Sequence, residues 1–313
     1  MRSSVRAHPR TCAPAHPHGP AESESHPMTT GTSRTVLITG TSSGIGLATA
    51  VAAARAGWNV VATMRDPGKA DALRKAAAGA GVAEHVHVKR LDVTDARLVA
   101  AVVEDVVVES GGLDAVVNNA GAGHVGTIEL ETVADVRATM EVNFFGVVEV
   151  TKAAMPHLRA SGGRLVTVTS VGGVVGQPFN EAYCAAKFAV EGYMEALAPV
   201  AAAVGVTVSV VEPGAVGSEF VANLGIDIPA YAAAAGPYRP AFTHYLDRTT
   251  QAFTAAQTID EAAAPIVEVL GAERPPFRVQ TSPRAREFTG VKLADLDGSA
   301  VQSLTGGWLS DPS

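Results

Sequence analysis

Cysteine is scarce in this chain: 313 residues contain two, Cys12 and Cys184. Two thiols, one of them in a tail-like stretch, are too few for a disulfide framework. Aromatic residues make up only 5%, so Ala and Val must carry the core, which suits close packing of helices on a sheet. No run of about 18 or more apolar residues occurs, which leaves no candidate membrane-spanning helix. Basic clusters are also missing, and the formal net charge is −7, whereas binding along a nucleic acid needs cations against its phosphates. The N-terminal stretch lacks the apolar segment of a secretory signal. These absences point to a soluble, cytoplasmic protein with no nucleic-acid partner. What is present is a globular composition, 47% hydrophobic and 18% charged, long enough for one large α/β domain or two small ones.

Residues 1–30 are rich in Pro, His and Ser without apolar periodicity, and read as a disordered tail. Its four histidines (His8, His16, His18, His26) are interleaved with prolines and lack ligand geometry, so no metal site is expected. Met28 stands just ahead of the first strand as an alternative start. From residue 34 onward, strands and helical runs alternate. Strands are expected at 34–40, 58–66, 85–93, 113–121, 206–214 and 277–281, with one more ending at Ser170. Helical runs fall between them, at about 67–79, 95–110, 132–148, 149–160 and 258–270, and from Tyr183 to about 203. The alternation predicts one α/β domain over 31–281, a doubly wound parallel sheet of about seven strands with helices on both faces. Residues 215–257, with Gly225, Pro229, Gly236, Pro237 and Pro240, read as a mobile loop-rich segment facing the substrate, and 282–313 as a polar C-terminal tail.

The first strand, RTVLITG, runs straight into TSSGIG and an Ala-rich helix. Glycines at 40, 44 and 46 permit a tight turn and let backbone N–H groups and a helix N-terminus approach a pyrophosphate. The strand before and the helix after are the context that favours a nucleotide over a structural turn. At the end of the second strand stand Met64, Arg65 and Asp66. Arg65 would welcome the 2′-phosphate of NADP(H), whereas Asp66 would bind the ribose 2′-hydroxyl of NAD(H). Asp92, just past a strand, is placed to accept from an adenine amino group. Asn118 to Gly121, NNAG, either pass close to ribose and nicotinamide or form a capped turn. Asn143 interrupts an apolar helical run and must be hydrogen-bonded if buried.

The stretch 170–187, SVGGVVGQPFNEAYCAAK, places a hydroxyl at Ser170, a phenol at Tyr183 and an ammonium at Lys187. Four residues apart on a helix, Tyr183 and Lys187 share a face, which alone describes many solvated helices. A phenol titrates near ~10 and is a poor base at neutral pH, but a cation beside it favours the phenolate. With Ser170 holding a substrate oxygen, the set could move a proton at a carbon–oxygen bond while a nicotinamide cofactor moves the hydride. Cys184, beside the tyrosine, reads as a small packing residue rather than a reactive thiol. His124 lines a pocket or sits in a loop.

In order along the chain, TGTSSGIG, NNAG, VNFFG, Ser170, YCAAK and PG resemble the short-chain dehydrogenase/reductase family over about residues 34–281. The resemblance implies a Rossmann-like fold and an active-site tetrad of Asn143, Ser170, Tyr183 and Lys187. Tyr183 would exchange the proton, Lys187 would lower its pKa and bond the nicotinamide ribose, and Ser170 would orient the substrate oxygen. Asn143 would fix Lys187 through a water. It further implies a cofactor, NADP(H) before NAD(H), held by Gly40, Ser42, Ser43, Gly44, Ile45, Gly46, Arg65, Asp92, Val93, Asn119, Ala120, Gly121, Tyr183, Lys187, Pro213, Gly214, Val216 and Ser218. No metal is implied. The sequence around Tyr183, TMRD and YLDRTTQAF are similar to the branch of 17β-hydroxysteroid and photoreceptor retinol dehydrogenases, which implies a bulky apolar alcohol or ketone as substrate. Arg248 departs from that branch, where the steroid enzyme offers a histidine to the far end of its ligand, and favours a carboxylate or other polar terminus. Pairing of the helices at 132–160 and 181–203 would make a homodimer or homotetramer. Two further functions stay open: a ketoreductase of acyl-thioester or polyketide intermediates, and a non-catalytic NADP(H)-sensing protein.

Overall fold

A computed structural model describes residues 34–218 and 227–309. The expected N-terminal tail, with Cys12 and its histidines, lies outside these residues, as do 219–226 of the loop-rich segment. Seven strands form one sheet: β1 (Thr35–Thr39), β2 (Asn59–Met64), β3 (Val86–Arg90), β4 (Ala115–Asn118), β5 (Arg164–Val168), β6 (Thr207–Glu212) and β7 (Arg278–Gln280). All neighbours pair in parallel, in the order β3-β2-β1-β4-β5-β6-β7. The direction of winding reverses between β1 and β4. Crevices beyond the strand ends at such a reversal are where open α/β sheets bind ligands.

Alternation along each strand divides the core into two layers. Val36 and Ile38 of β1 face one layer, with α1 (Gly44–Arg55), α2 (Asp71–Gly79) and α9 (Ile259–Gly271) packed over them through Ala50, Ala53, Leu73, Ile266 and Leu270. Leu37 faces the other, covered by α3 (Ala96–Ser110), α5 (Gly146–Ser161) and α6 (Glu181–Ala202) through Val102, Val106, Val150, Leu158, Val190 and Met194. Both faces of β1 are therefore dry, which explains its unbroken apolar run. Small side chains suffice because α1 presents mainly alanines to its neighbours. The two helical runs expected at 132–148 and 149–160 are one continuous rod: α4 (Val133–Met140), a π-helical turn Glu141–Phe145, then α5. Among the described residues no helix is long and apolar enough to cross a membrane.

Two segments are more ordered than their composition suggests. The loop-rich stretch contains α7 (Ile228–Ala234) and α8 (Arg239–Thr254), and the polar tail contains α10 (Pro283–Ala294) and α11 (Ser299–Gly306). Of the prolines that read as loop signals, Pro229 and Pro240 occupy the first turns of α7 and α8 and Pro237 a short 3₁₀ turn between them, and Pro283 likewise opens α10. There a missing N–H costs nothing and the fixed φ favours helix. Buried Val301 of α11 then packs into an apolar cluster with Val174, Val175, Phe288 and Val291, fastening the C-terminal helices to the loop after β5. Val301→Asp would bury an unpaired carboxylate there, and is expected to cost roughly 3 kcal/mol and lower the melting temperature by ~5–10 °C. Scanning fluorimetry showing an unchanged melting temperature would contradict this packing.

Candidate active site

Three crossover loops at the strand ends meet at the reversal point. After β1 the chain turns at Gly40, whose φ is +72°; a Cβ there would lie 2.8 Å from the Ala120 Cα. At Gly46 a Cβ would stand 2.2 Å from the Gly40 carbonyl oxygen and 2.3 Å from Asn119 Nδ2. Both positions exclude any side chain. Ser43, the residue before α1, makes no side-chain cap, so the first N–H groups of α1 keep their donors for a ligand. Thr39 Oγ1 accepts the N–H groups of Asn119 (3.0 Å) and Ala120 (2.9 Å). In return Asn119 Nδ2 donates to the carbonyls of Thr39 and Gly40, at 2.9 and 3.0 Å. These bonds staple the ends of β1 and β4 together. Asn118 takes no part: its side chain is buried at the end of β4 and donates to Thr151 Oγ1 of α5 at 3.0 Å rather than capping a turn.

Asn143 sits in the π-helical turn and is fully buried. Its amide donates to the carbonyls of Ala122 and Thr139, both at 3.0 Å, and its Oδ1 accepts from Ala122 N–H at 3.2 Å. A π turn widens the helix by one residue and re-aims the side chain, here into the loop after β4. A Cβ on Gly121 would stand 2.9 Å from Asn143 Oδ1 and 3.5 Å from Lys187 Nζ, so the two side chains converge on Gly121. Asn143 therefore acts on the loop directly, with its amide bonded to protein atoms.

Ser170 follows β5 and caps a short 3₁₀ turn, its Oγ accepting from Gly172 N–H at 3.0 Å. Tyr183 lies on the first turn of α6 and hydrogen-bonds to Ser170. One turn on, Lys187 is buried, donates to the carbonyl of Val168 at 3.2 Å, and holds its Nζ 5.9 Å from the Tyr183 ring centroid. Burial pushes the Tyr183 phenol up to about 12, against a smaller pull from the Ser170 bond. Burial likewise pushes Lys187 down to about 8, opposed by the charge of Glu191. Withdrawal from water is the largest influence on the phenol, whereas the sequence shows only the neighbouring ammonium. Burial also pushes the Cys184 thiol up to about 11, which keeps it a packing residue.

Around these groups lies a cavity of about 1480 Å³. Every residue expected to hold a cofactor lines it, as do Ser170, Tyr183 and Lys187; Asn143 stands behind its wall. At one end are Arg65, Asp66, Asp92 and Lys69. One oxygen of the Asp66 carboxylate caps the turn Pro67–Lys69 by accepting from Gly68 N–H at 2.9 Å, with Arg65 and Lys69 beside it in the cavity lining. Asp92 accepts two bonds from Thr94, and these, with the charges of Arg65 and Arg90, outweigh its burial and hold its carboxyl below the usual range. Lys69 went unseen in the sequence because a lysine in a surface turn has no pattern of its own.

Elsewhere in the lining α8 presents Tyr245, Leu246, Arg248, Thr249, Thr250, Ala252 and Phe253 to the cavity. Arg248 lies over the Trp308 ring, 4.8 Å from its centroid, and Phe288 stacks on the same indole at 5.8 Å. Both aromatics come from the supposed tail; their presence in an otherwise polar stretch was the available signal. Phe179, with a left-handed φ of 60°, packs on Phe242 and Tyr245 and ties α8 to the start of α6. His124 also lines the cavity, its Nε2 2.7 Å from Glu131 Oε1.

A family model described as short chain dehydrogenase matches residues 34–228. Retinol dehydrogenase 8 of Bos taurus is 38% identical, over 85% of this chain and 87% of that protein. The 17-beta-hydroxysteroid dehydrogenase type 1 of Mus musculus is 36% identical, over 85% of this chain and 78% of its own. Among solved structures, a short-chain dehydrogenase from Streptomyces avermitilis superposes with a TM-score of 0.71 at 31% identity, covering 89% of this chain and 99% of that one. Fold, glycine cradle and relatives agree, and the chain belongs to the short-chain dehydrogenase/reductase family of oxidoreductases.

Proposed function

We propose that the chain interconverts a secondary alcohol and a ketone, or an alcohol and an aldehyde, on a bulky apolar substrate of steroid- or retinoid-like size, with NADP(H) as cofactor. The observation that carries this reading is the placement of Ser170, Tyr183 and Lys187 on one wall of a cavity whose other parts suit a dinucleotide. The glycine cradle, the open N-terminus of α1, and Arg65 with Lys69 at the strand end fit such a cofactor. Bound there, it would supply or take the hydride, which no side chain in the site can do.

The chain's own residues manage the oxygen. Ser170 and Tyr183 hold two hydroxyls within hydrogen-bond reach of each other on the cavity wall, where a carbonyl oxygen replacing that bond would accept from both. In reduction Tyr183 gives its proton to that oxygen as negative charge develops on it; in oxidation the transfer reverses. The protonated phenol serves the reductive direction and the phenolate the oxidative one. Lys187 then compensates the charge left on the tyrosine. At the far end Leu246, Phe253, Phe288 and Trp308 provide apolar surface, consistent with relatives named for retinol and 17-beta-hydroxysteroids. The guanidinium of Arg248 would meet a carboxylate or other polar terminus there. Exposed Phe145, Phe188 and Tyr193 lie on the helices a second copy would cover in a homodimer or homotetramer.

Tyr183→Phe is expected to lower kcat for ketone reduction by ~10²–10⁴ while leaving the NADPH dissociation constant within about twofold. Full residual turnover in stopped-flow assays would remove the tyrosine from its role. Arg65→Leu is expected to weaken NADPH binding by about tenfold or more and leave NADH binding unchanged. Equal losses for both cofactors by fluorescence titration would transfer the ribose contact to Asp66.

A further inference from the structure

The stripe of α6 that carries Tyr183 and Lys187 continues at the same four-residue step through Glu191 and Glu195. Glu191 is 5% exposed, yet polar and charged groups surround it: Thr169 just past β5, Glu212 of β6 and Arg278 of β7. Thr169, adjacent to the Val168 carbonyl that accepts from Lys187, holds its Oγ1 2.5 Å from Glu191 Oε1. The same Oγ1 is 3.1 Å from the carbonyl of Val211. A threonine hydroxyl has one proton and cannot donate to both. The Val211 carbonyl already accepts the Thr169 N–H at 2.8 Å, so the hydroxyl can serve Glu191, donating to its carboxylate or accepting from its carboxyl as the proton comes and goes.

Charge balance favours a proton within this cluster. Arg278 Nε of β7 lies 3.2 Å from Glu191 Oε2 and 3.2 Å from Glu212 Oε1 of β6, and another of its nitrogens is 2.5 Å from Glu195 Oε2. Three carboxylates thus share one guanidinium, and Glu212 has no exposed surface. Gln280 donates to the remaining Glu212 oxygen at 2.9 Å, and Gly173 of the turn after Ser170 closes over the Glu191 side chain. Two buried carboxylates sharing one cation do not both ionise readily.

We propose that Glu191 is a positioning residue for the Tyr183–Lys187 relay, a buried carboxyl that exchanges a proton within this cluster and, when ionised, holds Lys187 as the ammonium. The proposal rests on the relay described under Proposed function. Burial, reinforced by Glu212 against the pull of Thr169 and Arg278, pushes the Glu191 carboxyl up to about 7, and its charge opposes the loss of the Lys187 proton. Above neutrality the ionised Glu191 keeps Lys187 charged, and so keeps Tyr183 supplied with a compensating cation over a wider pH range than burial alone would permit.

Glu191→Gln preserves the shape and the bond to Thr169 while removing the charge. Its pH profile of kcat/KM for ketone reduction is expected to lose activity on the alkaline side about one pH unit earlier than the unmodified enzyme. NADPH affinity below pH 7 should stay unchanged. Glu212→Gln, which leaves Glu191 its charge, is expected to keep that limb in place or move it upward. Independently of turnover, NMR of protein labelled with ¹³C at the glutamate carboxyl should show a resonance, absent from Glu191→Gln, titrating well above the ordinary value of about 4.3. Superimposable profiles, or an ordinary titration of that resonance, would overturn the proposal. Lys187→Met, run beside them, separates the two levels: loss of its turnover with a silent Glu191→Gln refutes Glu191 alone, whereas full turnover of Lys187→Met refutes the relay and the proposal with it.

Discussion

The site depends on holding a phenol and an ammonium on one helix face, the lysine buried and the tyrosine half-buried in the cavity wall. Tyr183 and Lys187 are enclosed by the end of β5, the loop after β4 and the turn after Ser170, and burial moves each toward its neutral form. An isolated charge there would be costly, so both forms must be paid for by fixed partners: Ser170 for the phenol, the Val168 carbonyl and Glu191 for the lysine. The geometry that supplies those partners is set by the sheet. Val168 ends β5, Thr169 and Ser170 follow it, and the helix that carries Tyr183 and Lys187 packs directly beside them. A parallel strand ending beneath a helix N-terminus is thus the structural unit on which the proposed chemistry rests.

A second constraint lies at the reversal between β1 and β4. There Thr39, Asn119 and the glycine turn are tied by four hydrogen bonds, and the close approach of Gly46 to the Gly40 carbonyl leaves no room for a Cβ. The π turn that carries Asn143 fixes the next stretch of the same loop from the opposite side. Both devices hold backbone rather than reach into the cavity. They leave the α1 N-terminus and the Tyr183 wall as rigid surfaces facing one volume, which is what orienting two reactants requires.

The sheet and the cofactor cradle were legible from sequence because each rests on local chemistry: alternating apolar runs, a glycine turn between a strand and a helix, a four-residue Tyr-Lys step. The C-terminal third was not. Prolines at 229, 240 and 283 are the same residues whether they end a loop or begin a helix, and only the helix that follows distinguishes them. Helix α11 is fastened through Val301 to residues more than a hundred positions away, a contact without a local signature. The direction of the Tyr183 shift was missed for the same reason. A cation four residues away is visible in the sequence, whereas the burial that governs the shift is a property of the packed chain. Asn118 and Asn119 show the limit most sharply, since adjacent identical amides turn to opposite sides of the strand.

The central claim, that this wall transfers a proton while a hydride crosses to the same substrate, is tested most directly by isotope transfer. NADPH carrying deuterium at the transferable C4 position would be incubated with bulky apolar ketones and the alcohols analysed by mass spectrometry. The account predicts one deuterium at the carbinol carbon, on one face of the product. Tight NADPH binding with no deuterium in any product across steroid, retinoid, aromatic and acyl-thioester carbonyls would contradict it.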